Sequence, residues 1–77
     1  MITLLFFAYL KEQIGHDSLT LDADALSVYD IKQHLTDTYG LDCLSLMAAV
    51  NEVYAPDTQL VHRGDTMTLI PPVSGGR

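Results

Sequence analysis

Apolar positions run in two rhythms along this 77-residue chain. Residues 1–9 (MITLLFFAY) form an unbroken β-forming run, which predicts a strand buried on both faces. Residues 10–15 (LKEQIG) predict one short helical turn closed by glycine. Ser18-Leu19-Thr20-Leu21 alternates polar and apolar, the pattern of a half-buried strand paired with the first. The period then lengthens, with Val28, Ile31, Leu35 and Tyr39 recurring at helical spacing. Ser27 is placed to cap this helix, Asp30 holds the capping-box position, and Gly40 supplies the stop. Its outward face is expected to carry Lys32, Gln33, His34 and Asp37. Residues 46–50 predict a third strand, Asn51-Glu52 a turn and Val53-Tyr54 a short continuation. Ala55-Pro56-Asp57 breaks the pattern, Arg63-Gly64-Asp65 predicts a tight turn, and residues 66–70 form the last strand.

One helix against one mixed sheet of four to five strands predicts a two-layer α+β domain over residues 1–70. The two most apolar strands lie at its ends, which places them side by side and parallel at the sheet centre, with the helix crossing over. Alternation then sorts the side chains. If Leu4 and Phe6 face the helix, Leu5, Phe7 and Tyr9 face away; Met67 and Leu69 point inward and Ile70 outward. The uncovered face of such a sheet should be polar. Here it carries Phe7 and Ile70 with Tyr54 as a neighbour, an apolar patch of the kind that marks a protein interface.

Composition narrows the partners. Four Lys and Arg stand against ten Asp and Glu, a net charge of −6. Nucleic-acid binding rests on basic side chains neutralising phosphates, so that class is excluded, and electrostatic steering favours a basic protein partner. A single cysteine, Cys43, permits neither an internal disulfide nor a zinc cluster, and fits a reducing cytoplasm. No apolar run has the roughly 18 residues a membrane span needs. His16, His34 and His62 have no metal-ligand spacing and read as surface residues, so no metal site is expected. Asp42 beside Cys43 argues against a reactive thiolate, and no serine lies in a nucleophile-elbow context. Nothing in the chain is suited to catalysis unaided.

Residues 71–77 form a separate tail. Pro71 and Pro72 end sheet pairing and stiffen the exit, because proline fixes φ and has no N–H to donate. Val73 and Ser74 lead to Gly75-Gly76, a thin tip able to enter a channel too narrow for side chains. Extended, residues 71–76 reach about 20 Å, enough to deliver the end of a chain into another protein's active site.

With the strand-terminal segments MITLLFFA, MAAVN and Gly64-Asp65 through IPPVSGG, the whole chain resembles the small subunits of molybdopterin synthase, a family of ubiquitin-like sulfur carriers with the β-grasp fold. The resemblance implies that the carboxylate of Gly76 is adenylated by an ATP-using, ubiquitin-activating-like enzyme and converted to a thiocarboxylate. The tail, Pro71 to Gly75 with it, then enters a large catalytic subunit, where sulfur passes to a cyclic pyranopterin monophosphate during molybdenum cofactor biosynthesis. It implies a heterotetramer, no cofactor bound to the carrier itself, and Phe7, Tyr54 and Ile70 as contacts with the large subunit. The chain is thus expected to be a non-catalytic subunit whose catalytic groups lie on its partner.

Arg77 departs from that pattern, because only a terminal carboxylate can be adenylated. Removal by a protease, addition of the residue in expression, and loss of carrier activity all account for it; the carrier reading requires Gly76 freed of Arg77. Two other readings remain open: a sulfur carrier for thiamine synthesis or tRNA thiolation, or a ubiquitin-like modifier or interaction module without carrier chemistry.

Overall fold

The computed structural model describes residues 1–7 and 9–70, with Tyr9 described in its backbone alone. Its elements run β1 (Ile2–Phe6), α1 (Tyr9–Ile14), β2 (Ser18–Leu21), β3 (Ala25–Ser27), α2 (Val28–Tyr39), β4 (Met47–Val50), β5 (Val53–Ala55), β6 (Leu60–His62) and β7 (Thr66–Ile70). Five strands form a mixed sheet in the order β2-β1-β7-β4-β5. β1 and β7 pair in parallel, Leu4 opposite Met67 and Phe6 opposite Leu69, and the remaining pairs are antiparallel. A parallel pair needs a crossover, and α2 provides it. This is the two-layer α+β, ubiquitin-like β-grasp arrangement expected from the chain's apolar ends.

Packing follows the alternation. Ile2, Leu4 and Phe6 of β1, Ala48 of β4, and Met67 and Leu69 of β7 are buried against Val28, Ile31 and Leu35 of α2. Burying a side chain of the Leu or Phe class stabilises by about 1.5–3 kcal/mol, so this single layer carries most of the fold. α2 begins and ends as its residues dictate. The Ser27 hydroxyl accepts from the Asp30 N–H at 3.0 Å, and Gly40, at φ 69°, closes the helix with its N–H on the Thr36 carbonyl.

Four expectations are corrected. The first strand stops at Phe6, and Tyr9 opens α1 instead of continuing it. That strand is also covered on one face only, since Thr3 and Leu5 remain partly exposed. A second sheet, β3 paired antiparallel with β6, was not expected; each strand has three residues, too few to show a period. Lys32, assigned to the outward face of α2, is buried at 4% exposure. It stands four residues after Val28 and three before Leu35, on the helix's inner stripe, because i, i+4 and i, i+3 neighbours share a face. Among the described residues no helix is long and apolar enough to cross a membrane.

Candidate functional site

The uncovered face of the sheet divides into a polar end and an apolar end. At the polar end, the Asn51-Glu52 turn takes φ 52° and 72°, the left-handed pair a two-residue hairpin requires. Asn51 holds it against β7: its N–H donates to the Thr66 carbonyl at 2.8 Å and its Oδ1 accepts from the Thr66 N–H at 3.0 Å. Asn51 Nδ2 donates to Asp65 Oδ1 at 3.1 Å, and the His62 N–H donates to Asp65 Oδ2 at 2.9 Å. The His62 amide first, and the Asn51 side chain second, hold the Asp65 carboxyl below the usual carboxylate range. Thr3, Thr20 and Thr66 continue this polar end along β1, β2 and β7.

At the other end the register sets Met47 opposite Ile70, and Ala49 opposite both Tyr54 and Thr68. Phe7 follows directly on β1, whose Phe6 pairs with Leu69. Phe7 and Tyr54 are 55% and 66% exposed, Met47 is likewise exposed, and Ile70 is partly exposed. Together with Leu5 and the small Ala49 floor, Phe7, Tyr54 and Ile70 line one shallow groove, which Thr68 and, from the polar end, Asn51, Glu52 and Thr66 complete. The three candidate interface residues therefore stand around a single concavity. The groove side of β7 ends at Ile70, the residue that leads into the tail.

Pro71, Pro72, Val73, Ser74, Gly75 and Gly76, together with Arg77, lie outside the described residues. Met47 was missed as a groove neighbour, although the signal was present: if Ala48 faces the core, period-2 alternation turns Met47 outward.

The remaining chemical groups are placed elsewhere. Cys43 is fully buried in the core, and burial, more than Asp42, pushes its thiol up from the ordinary value. His16 is exposed in the loop between α1 and β2, His34 on α2 and His62 on β6. Among the described residues no three His, Cys, Asp or Glu side chains gather into a group that could hold a metal ion. The arrangement is an exposed, partly apolar groove at the end of β7, and among the described residues no nucleophile–base pair accompanies it.

Comparison with known proteins agrees in scale with that description. Residues 4–76 match the ThiS family. The molybdopterin synthase sulfur carrier subunit of Haemophilus influenzae is 32% identical over 81 residues, spanning 99% of this chain and 100% of that protein. The molybdopterin synthase sulfur carrier subunit of Escherichia coli strain K12 is 35% identical over 81 residues, with the same coverage. Among solved structures, the small archaeal modifier protein 1 (SAMP1) from Methanosarcina acetivorans superposes with a TM-score of 0.76 at 25% identity, covering 97% of this chain and 95% of that one.

Proposed function

The chain belongs to the ThiS family, and from that premise we propose that it is the sulfur-carrier subunit of a molybdopterin synthase, working in the cytoplasm. The observation that carries this reading is the end-to-end similarity to curated sulfur carrier subunits. The exposed groove supports it physically: Phe7, Tyr54 and Ile70 form a surface on which a large catalytic subunit docks, with the tail leading from the last of them.

The chemistry asked of the chain is confined to one carboxylate. Once Gly76 is terminal, its carboxylate oxygen attacks the α-phosphorus of ATP on an adenylating enzyme, and pyrophosphate leaves. A sulfur nucleophile at the sulfide level adds to the acyl-adenylate carbonyl and AMP departs, giving a thiocarboxylate. Glycine puts no side chain in the path of either attack. In the large subunit the thiocarboxylate sulfur bonds to a carbon of cyclic pyranopterin monophosphate as an oxygen substituent leaves that carbon. Water then hydrolyses the acyl–sulfur bond, which restores the Gly76 carboxylate and leaves the sulfur on the pterin. The cations that position this anionic end belong to the partners, since this chain holds only four Lys and Arg in all. Two carriers on a pair of large subunits make the assembly a heterotetramer.

The likeness to SAMP1 favours a second reading, a ubiquitin-like modifier whose terminal carboxyl is joined to another protein's amine. The intact mass of untagged protein from its own cell decides between them. The expected spectrum shows a chain ending at Gly76, part of it heavier by the replacement of oxygen with sulfur. Conjugates of larger mass without sulfur would support the modifier, and uniform retention of Arg77 without sulfur would remove both.

A further inference from the structure

Lys32 is the one charged side chain buried among the described residues, and it joins its own helix to two other pieces of the fold. From α2 its Nζ donates to the Leu46 carbonyl, immediately before β4, at 2.5 Å, and to Asp57 Oδ1, just beyond β5, at 2.8 Å. The loop carrying Asp57 is tied to the same helix by main-chain bonds. The Tyr29 N–H donates to the Asp57 carbonyl at 3.0 Å, and the Val28 N–H to the Gln59 carbonyl at 2.9 Å. These are N–H groups that a helix start leaves without internal partners. The Lys32 side chain lines a cleft whose walls include Met47 and Tyr54.

We propose that Lys32 is a positioning residue: it pins both ends of the β4–β5 hairpin to α2 and so fixes where Tyr54 stands on the docking groove and Met47 beside it. The consequence for docking rests on the sulfur-carrier reading, whereas the pinning itself does not. A buried ammonium is tolerated only while its partners remain in place, because an unpaired charge out of water is costly. Any shift of Leu46 or Asp57 away from α2 strands that charge, so the hairpin has one acceptable placement. Asp57 is itself about half exposed, so water can serve its carboxylate when Lys32 is gone. The pair therefore specifies geometry more than it adds stability.

Lys32→Met keeps the aliphatic stem and removes the charge. The expected result is an unfolding midpoint close to wild type, with amide hydrogen exchange faster by about tenfold at residues 54–59 and unchanged in β1 and β2. Affinity for the synthase large subunit from the same organism, measured by titration calorimetry, should fall by about tenfold. A merely structural role would instead raise exchange throughout, and would weaken docking no more than an Ile14→Val variant brought to equal stability. Either that pattern or unchanged exchange at residues 54–59 overturns the proposal. Should Lys32→Met fail to fold, Asp57→Ala tests one arm alone, with faster exchange expected at residues 57–59 and none of it overturning the pin. If wild-type protein does not bind the large subunit, the sulfur-carrier reading fails, and the exchange map still decides the pinning.

Discussion

Phe6 and Phe7 are neighbours in the chain with opposite tasks. Phe6 is buried against α2, and Phe7 stands in solvent on the groove side of the sheet. The same division runs through β7, where Met67 and Leu69 are covered and Thr68 and Ile70 are not. Strand geometry makes this separation, since successive side chains leave opposite faces. A five-stranded sheet with one main helix has enough helix to cover one face, so the apolar residues of the other face are left exposed. The comparison teaches that apolar content alone does not distinguish core from interface in a domain this small; the parity of the position does.

The sharpest way to break that comparison is to truncate both rings. Phe6→Ala should cost about 3–5 kcal/mol of stability, a large part of what a domain of this size has, and should appear as a lower urea midpoint or outright unfolding. A loss below ~1 kcal/mol would mean the inner face is not the core. Phe7→Ala should change stability by no more than about 0.5 kcal/mol, because its ring leaves no cavity. Its cost falls on recognition: affinity for the large subunit should drop by about 2 kcal/mol, the scale of an interface anchor. Unaltered affinity in a calorimetric titration would take Phe7 out of the interface.

A smaller change tests whether the helix cap, unlike Lys32, serves only the inner face. Ser27→Ala removes the oxygen that caps the Asp30 N–H, and should lower stability by about 1 kcal/mol in chemical denaturation. Docking should be unaffected, since Ser27 lies in β3, outside the five-stranded sheet. A parallel loss of affinity would show that the cap, like Lys32, acts on the open face.

Parity also explains what could be read without coordinates. The helix over Val28 to Tyr39, its Ser27 cap, its Gly40 stop and the parallel pairing of the end strands all rest on local spacing or on long apolar runs. Phe7 and Ile70 were legible together because alternation assigns them one face, with Tyr54 joined to them as a neighbour and by the family resemblance. β3 and β6 were not, for pairing of two three-residue strands is a long-range event with no periodic trace. The unbroken run at residues 1–9 was misread as doubly buried because an interface residue and a core residue are chemically alike before a partner is considered. Lys32 was misread for the opposite reason: its type argued for solvent, and its stripe argued for the core.

The least effect is expected from the polar end of the open face, and it concerns pH. Two donors stabilise the Asp65 carboxylate in the folded protein, the His62 amide and the Asn51 side chain, so its folded pKa lies below its unfolded value. Folding is therefore favoured by this group above the ordinary carboxylate range, and that contribution disappears as pH falls through the lowered, folded value. The difference in thermal midpoint between wild type and Asp65→Asn should be present at neutral pH and should close on acidification. Curves that stay parallel would mean that Asp65 is not held as its hydrogen bonds indicate. Docking should not follow the same curve, because Asp65 does not itself line the groove, whose acidic residue is Glu52. An affinity that falls along with the Asp65 contribution would show that Asp65 acts on docking through Asn51, which bonds it and lines the groove.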